Sequence, residues 1–247
     1  MAGEAAAKLA PLRYESAPLR NQIISSLRSA IENGLLQPGA RLIERDLCEQ
    51  LNVSRTSLRE ALRELQALGV LAQTENRGLV VGTLTAEEAA NVYSIRAVLE
   101  ALVVGQFVAL ASDEEVDQLR GYGETLKKAY ISGSVERMLR AKRTFYDSVC
   151  SGAQNALAFE LINRLTLRTS ILRSRSLSRK PRQKESVKEI EAILCAIEAR
   201  DAEAAKRAAA LHVENSSRSA LHSPEAFPLP QVAEKPARRR RVSSIVE

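Results

Sequence analysis

Apolar positions recur three and four apart over most of this chain, the spacing of one buried face on an α-helix. The sharpest case is residues 53–65, VSRTSLREALREL. Leu58, Ala61, Leu62 and Leu65 form an apolar stripe, while Arg55, Arg59 and Arg63, four apart, form a cationic one on another side. Ser54 is a good N-cap, because its hydroxyl can accept from an orphan amide of the first turn, and Thr56 and Ser57 add hydroxyls at the same end. Upstream, Leu19, Ile23, Ile24, Leu27 and Ile31 predict a helix starting near Pro18 and ending at Asn33-Gly34. A short helix over 44–51 points Leu47 and Leu51 inward, and Asn52-Val53 turns into the arginine-bearing helix. Gly69 ends that helix. Short β-like segments at 70–73 and 79–81 flank a hairpin tip at 75–78. Helix, helix, turn, helix, hairpin is the order of a winged helix-turn-helix, whose second turn-motif helix enters the major groove.

The remaining pattern is helical. Thr85-Ala86-Glu87-Glu88 is a capping box opening a helix to about residue 111, with Val92, Ile95, Leu99, Leu102 and Val103 facing inward. Ser112-Asp113-Glu114-Glu115 opens a second, to about residue 130. Ser134 caps a third through Met138, Phe145 and Val149, and Asn155 begins a fourth with Leu157, Leu161, Leu165 and Leu172 inward. A fifth covers 186–199 with Val187, Ile190, Ile193, Leu194 and Ile197, and Asp201 caps a sixth to about residue 222. Such helices bury their stripes only as a bundle. The expected fold is mainly α: a flexible leader over 1–15, a winged helix-turn-helix over 16–83, an all-α bundle over 84–222, to which the family resemblance given below adds effector binding and dimerisation, and a disordered basic tail over 223–247.

Composition agrees with helices. Hydrophobic residues make up 45% of the 247, aromatics only 4%, and tryptophan is absent, so the core must be Leu, Ile, Val and Ala. A net charge of +6 is permissive of a polyanionic partner, although Arg238–Arg241 in the tail supply part of it. The basic run between Arg164 and Lys184 reads as a solvated face plus a loop before Pro181. Cys48, Cys150 and Cys195 are far apart and lie in apolar helical patterns, which reads as reduced, mostly buried thiols without metal-ligand spacing. With no secretory segment and no bilayer-length apolar run evident, a soluble cytoplasmic protein without a membrane partner is expected.

The stretch GLLQPGARLIERDLCEQLNVSRTSLREALRELQALGVLAQTENRGLVV resembles the DNA-binding domain of the GntR family of bacterial transcription regulators. The resemblance rests on Leu36-Gln37-Pro38-Gly39, Leu42-x-Glu44, Val53-Ser54-Arg55-Thr56, Arg59-Glu60-Ala61-Leu62 and Arg77-Gly78. Arg55 and Arg59, one turn apart, suit bidentate reading of guanine. The family resemblance supports both positions and implies a further DNA-contacting arginine at Arg45. Ser54, Thr56 and Ser57 would bond phosphates and fix the register. Arg77 and Gly78 would form a wing tip at the minor groove, and Arg41 and Arg63 are phosphate neighbours or solvated.

The second half resembles the FCD effector domain of the FadR subgroup. Ile95-Arg96-x-x-Leu99-Glu100, Phe145, Asn155 and the pattern from Ala192 through Asp201 to Ala205 and His212 carry that likeness. The subgroup often holds a divalent metal through an Asp, a His one turn later and two further His. The matching positions here are Lys142, Tyr146, Ile190 and His212. One imidazole beside an ammonium and an isoleucine cannot hold a metal, so no metal and no cofactor are expected. Lys142, Tyr146, His212 and Arg96 could instead ring a cavity for a carboxylate-bearing metabolite. The same four residues also read as satisfied structural groups. The resulting expectation is a non-enzymatic regulator, a repressor, that binds an inverted-repeat operator on double-stranded DNA as a homodimer under control of an organic acid. The competing readings are a ligand-independent regulator with a decayed pocket, and an enzyme using Lys142, Tyr146 and His212 as acid and base.

Overall fold

The computed structural model describes residues 17–222. The leader expected over 1–15 and the tail expected over 223–247 lie outside the described residues. Helix α1, Ala17–Glu32, buries Ile23, Leu27 and Ile31. Helix α2, Glu44–Leu51, ends at Asn52, whose φ of 51° lets its amide reach back to Cys48 and Glu49. Asn tolerates that left-handed conformation, and the tight turn into α3 needs it. Helix α3, Arg55–Ala67, starts where Ser54 accepts from the amide of Ser57, and its Leu58, Ala61, Leu62 and Leu65 are at most 2% exposed. Leu68 caps α3, and Gly69 follows with φ of 70°.

Strands β1, Leu71–Thr74, and β2, Gly78–Val81, pair antiparallel from Leu71↔Val81 to Thr74↔Gly78. The chain before α2 extends this ladder, with Leu42 donating to the carbonyl of Leu79 and Val81 to that of Ala40. The winged-helix core is closed from outside by Leu167, 4% exposed, which belongs to the helical half.

That half contains α4 (Ala86–Leu110), α5 (Asp113–Ser132), α6 (Val135–Gly152), α7 (Ala156–Arg168), α8 (Ser170–Leu177), α9 (Lys180–Glu198) and α10 (Ala202–Leu221). Capping boxes at Thr85 and Ser112 both form, and Ser134, Asn155 and Asp201 each accept from the amide three residues on. Against the expectation of no bilayer-length apolar run, α4 is long and apolar enough by length and composition to cross a membrane, yet Val103, Val104 and Phe107 on it are fully buried in the bundle. Gly152 lets α6 approach α4, because a Cβ there would collide with the Phe107 ring.

Several expected faces differ. Ile95 and Leu102 on α4 are 51% and 42% exposed, and the buried side instead carries Tyr93, Arg96, Ala97 and Glu100. Helix α4 is apolar on most sides, so periodicity could not select its face. On α7, Leu157 and Leu161 are 66% and 38% exposed, while Ala158 and Ile162 are buried. The expected fourth helix breaks at Thr169, whose hydroxyl bonds the carbonyls of Leu165 and Thr166, so Leu172 packs from a separate helix, α8. Helix α9 begins at Lys180, with Pro181 in the first turn where no amide is needed. The basic run is therefore mostly helical, with only a short turn at 178–179 where the loop before Pro181 is expected, and Arg182 is 3% exposed rather than solvated. Cys195 is exposed, and Cys150 is buried with its thiol pushed up to about 12 by that burial.

Candidate functional site

Two groups of side chains carry chemistry, one on the winged-helix surface and one where the helical half meets α1. At the winged-helix end, the first turn of α3 places Arg55, Thr56 and Arg59 in solvent. Arg55 makes no ion pair among the described residues. Arg59 Nε donates to Glu44 Oε2 at 2.8 Å, so the last helix of the approach holds the arginine of the next. Glu44 is a residue the side-chain pattern alone does not single out. Arg45 is 73% exposed and lies 3.3 Å from Asp46. The Ser54 and Ser57 hydroxyls are 3.0 Å apart, with Ser54 also accepting from the Ser57 amide, so both are already engaged at the cap. Thr56 is exposed at the helix start, and its hydroxyl has no hydrogen-bond partner among the described residues. Arg77 is exposed at the hairpin tip, and the neighbouring Gly78 has φ of 71° with open space where a Cβ would stand. A helix N-terminus bearing two outward guanidiniums and a small wing tip suits the grooves and phosphates of a duplex.

The second group lies where α4, α6, α7 and α8 meet the end of α1. Arg96, Glu100, Lys142, Tyr146 and Arg173 line a cavity of ≈ 30 Å³, room for a water or a very small anion. Arg96 is bound to Glu100 by two hydrogen bonds, of 3.0 and 2.6 Å, with both groups buried. The Tyr146 hydroxyl and Glu100 Oε2 are buried with no partner of full hydrogen-bond geometry among the described residues, and both residues line the cavity. Burial, and then Glu100 beside it, hold the Tyr146 pKa well above the usual tyrosine value.

His212 is not in the lining. Its Nε2 is 2.9 Å from Lys142 Nζ, and its Nδ1 is 2.6 Å from Glu189 Oε2. Glu189 also receives both terminal nitrogens of Arg182, at 2.8 and 2.6 Å, and the Asn215 amide at 2.8 Å. Burial, and then Lys142 beside it, push the His212 pKa down to about 4 against the pull of Glu189. Burial alone would raise Glu189, but hydrogen bonds from His212 and Arg182 outweigh it and hold the carboxyl at about 2. Lys142 is lowered well below the usual lysine range, by burial first and then by Arg173 and Arg182. The neutral imidazole therefore donates from Nδ1 to Glu189 and accepts at Nε2 from Lys142.

This arrangement does not fit a metal. The lone pair of His212 that a cation would need is engaged by Lys142, and Ile190 is a buried aliphatic with no donor. Among the described residues no three His, Cys, Asp or Glu side chains converge.

The model of the FCD domain matches residues 91–215, and that of bacterial regulatory proteins of the gntR family matches residues 19–81. The chain is 28% identical over 211 residues to the probable D-xylose utilization operon transcriptional repressor of Paenarthrobacter nicotinovorans, covering 85% of this chain and 92% of that one. It is 31% identical over 139 residues to the HTH-type transcriptional regulator YdhC of Bacillus subtilis, a match spanning 56% of this chain and 62% of the relative. Among solved structures, E. coli McbR/YncC superposes with a TM-score of 0.71 at 24% identity, covering 81% of this chain and 95% of that one.

Proposed function

Since the chain belongs to the gntR family of bacterial regulatory proteins and carries an FCD domain, we propose that this transcription regulator is a repressor, bound as a homodimer to an inverted repeat and controlled by a carboxylate metabolite. The observation that carries the effector half is the charge of the cavity. Arg28, Arg96, Lys142, Arg143 and Arg173 line it against Glu32, Glu100 and Asp147, a formal excess of two cations. An anionic occupant supplies the missing charge and partners for the Tyr146 hydroxyl. Arg96, Lys142 and Tyr146 contact it, and His212 acts behind Lys142 by holding it in place.

In the DNA-binding half, Arg55 and Arg59 read bases, Arg45 and Thr56 approach phosphates, Ser54 and Ser57 shape the helix start, and Arg77-Gly78 enters the minor groove. Ile95, Val98 and Leu102 on α4, with Leu157 on α7, form an exposed apolar stripe that a second copy of the chain would cover. The domain limits at residues 83 and 222 and a cytoplasmic location belong to the same reading.

The test is a gel shift on promoter fragments selected from the source genome, followed by calorimetry. Arg55→Ala with Arg59→Ala abolishes selective binding; retention of parental affinity and selectivity rejects the DNA-reading assignment. Lys142→Ala weakens carboxylate binding at least tenfold; undiminished affinity rejects the cavity. The small volume of the cavity favours a second reading, a ligand-independent regulator with a closed pocket. Operator binding intact, with no stabilisation by any organic acid in a thermal-shift panel, selects that reading instead.

A further inference from the structure

One carboxylate in this cationic cavity comes from the DNA-reading half of the molecule. Glu32 is the last residue of α1 and only 9% exposed. Its Oε1 lies 3.0 Å from Arg28 Nε on its own helix and 3.8 Å from Arg143 Nη2 on α6. Arg173 on α8 also lines the cavity and has no ion-pair partner among the described residues. Burial and then Arg96 lower its pKa to about 10, and Glu32 is the carboxylate that opposes this.

Glu32 also stands in the doorway. A surface groove of ≈ 170 Å³ runs between α1 and α6, and it shares Glu32, Leu139 and Arg143 with the inner cavity. These three side chains form the wall between the two spaces. Opened to one another, the spaces total about 200 Å³, below the roughly 300 Å³ of drug-sized ligand sites and so suited only to a very small carboxylate.

We propose that Glu32 is a built-in stand-in for the effector: its carboxylate pins the DNA-reading head to the bundle at Arg143 and Arg173, and a small carboxylate entering along the α1–α6 groove takes its place. The inference rests on reading the cavity as the effector site. The exchange swaps one carboxylate for another at the same cations, so it leaves no charge buried alone. It gives the ligand the differential affinity that a switch needs, because the site is complete for the ligand only when Glu32 is out. Glu32 sits one residue beyond Ile31, which belongs to the same winged-helix core as Leu58 and Leu62 of α3, so movement of this helix end reaches the core that carries the reading helix.

The test is a thermal-shift titration of the full chain with sodium acetate, against sodium chloride at equal ionic strength. Glu32→Gln removes the internal competitor and leaves the cavity lining otherwise intact. Acetate then binds the variant at least fivefold tighter than the parent, and Arg143→Gln in the same background abolishes the gain. In the parent, acetate raises amide hydrogen exchange across α1 and chloride does not. Equal acetate affinity in parent and Glu32→Gln overturns the displacement but leaves the cavity as an effector site. No stabilisation of either protein beyond chloride overturns both. Glu32→Asp, which keeps the charge, preserves the parental response and controls for folding.

Discussion

The Nζ of Lys142 and the Nε2 of His212 are 2.9 Å apart, and this contact fixes which nitrogen of the imidazole carries the proton. The ring hydrogen goes to Nδ1, where Glu189 accepts it at 2.6 Å. The chain Lys142–His212–Glu189–Arg182 thereby ties α6, α10 and α9 together by charge-assisted hydrogen bonds through the bundle interior. A lysine thus performs the cross-linking role that a metal ion has in other proteins, without needing deprotonated ligands.

Acid should loosen this bundle in a defined window. His212 titrates at about 4 in the folded chain and near its ordinary 6.5 when unfolded. Between those values the unfolded chain binds a proton that the folded chain refuses, so stability present above pH 6.5 is lost as the pH falls towards 4. The full loss is about 3 kcal/mol. Glu189, at about 2, extends the decline below pH 4.5, because its stabilising contribution exists only while it is ionised. Urea midpoints at pH 7, 5.5 and 4.5 measure this. His212→Gln should flatten the fall between pH 6.5 and 4.5; parallel curves for parent and variant would refute the assignment.

Metal removal should change nothing. With the Nε2 lone pair of His212 engaged by Lys142, no first ligand is available to a divalent ion. Extended dialysis against EDTA should leave the melting temperature where it was, and added zinc should not raise it. Elemental analysis finding one equivalent of metal in freshly purified protein would contradict the argument.

The winged-helix half was legible in residue types because its elements are short, amphipathic and punctuated. Asn52, Ser54 and Gly69 mark their turns by the conformations only such residues favour, and the structure uses each that way. Helix α4 was not legible. Its buried face includes Arg96 and Glu100, an ion pair that also reaches the Thr169 hydroxyl through Arg96, whereas hydropathy points to Ile95 and Leu102. The cavity was half legible. Lys142 and Tyr146 are one turn apart and emerged together. Glu32 in its wall, and Glu189 and Arg182 in the network behind Lys142, are not legible, because charged residues on helices are usually solvated and only the tertiary fold brings each to its partners. The partnership of Glu44 with Arg59 was hidden for the same reason.

Glu44 should tune selectivity rather than strength. An exposed ion pair such as Glu44–Arg59, at 2.8 Å, contributes at most about 1 kcal/mol to stability. Its effect on recognition is larger, because it restricts where the Arg59 guanidinium points and places a negative charge near the phosphates. Glu44→Gln should fold normally and bind random-sequence duplex several-fold more tightly. Its ratio of operator to random binding should fall about tenfold, the lower range for a lost bidentate base contact. Competition binding at two salt concentrations reads both quantities. An unchanged ratio would mean that Glu44 does not orient Arg59.

The exposed stripe on α4 offers the test of assembly. Val98 is 70% exposed, flanked by Ile95 at 51% and Leu102 at 42%, all on one side of a helix whose opposite side is buried. Val98→Lys meets solvent in a single chain, so it should leave the fold of the monomer unaltered, with far-ultraviolet circular dichroism and the acetate response intact. In a two-fold assembly over this stripe the substitution occurs twice within one interface, and burying the two ammonium groups there is strongly unfavourable. If the proposed dimer forms over this stripe, sedimentation should show the parent as a dimer and the variant as a monomer at the same concentration. Operator affinity should drop by at least a hundredfold, because each monomer holds only one half of a symmetric site, whereas binding to an isolated half-site should persist. A Val98→Lys protein that still sediments as a dimer would place the interface elsewhere on the bundle.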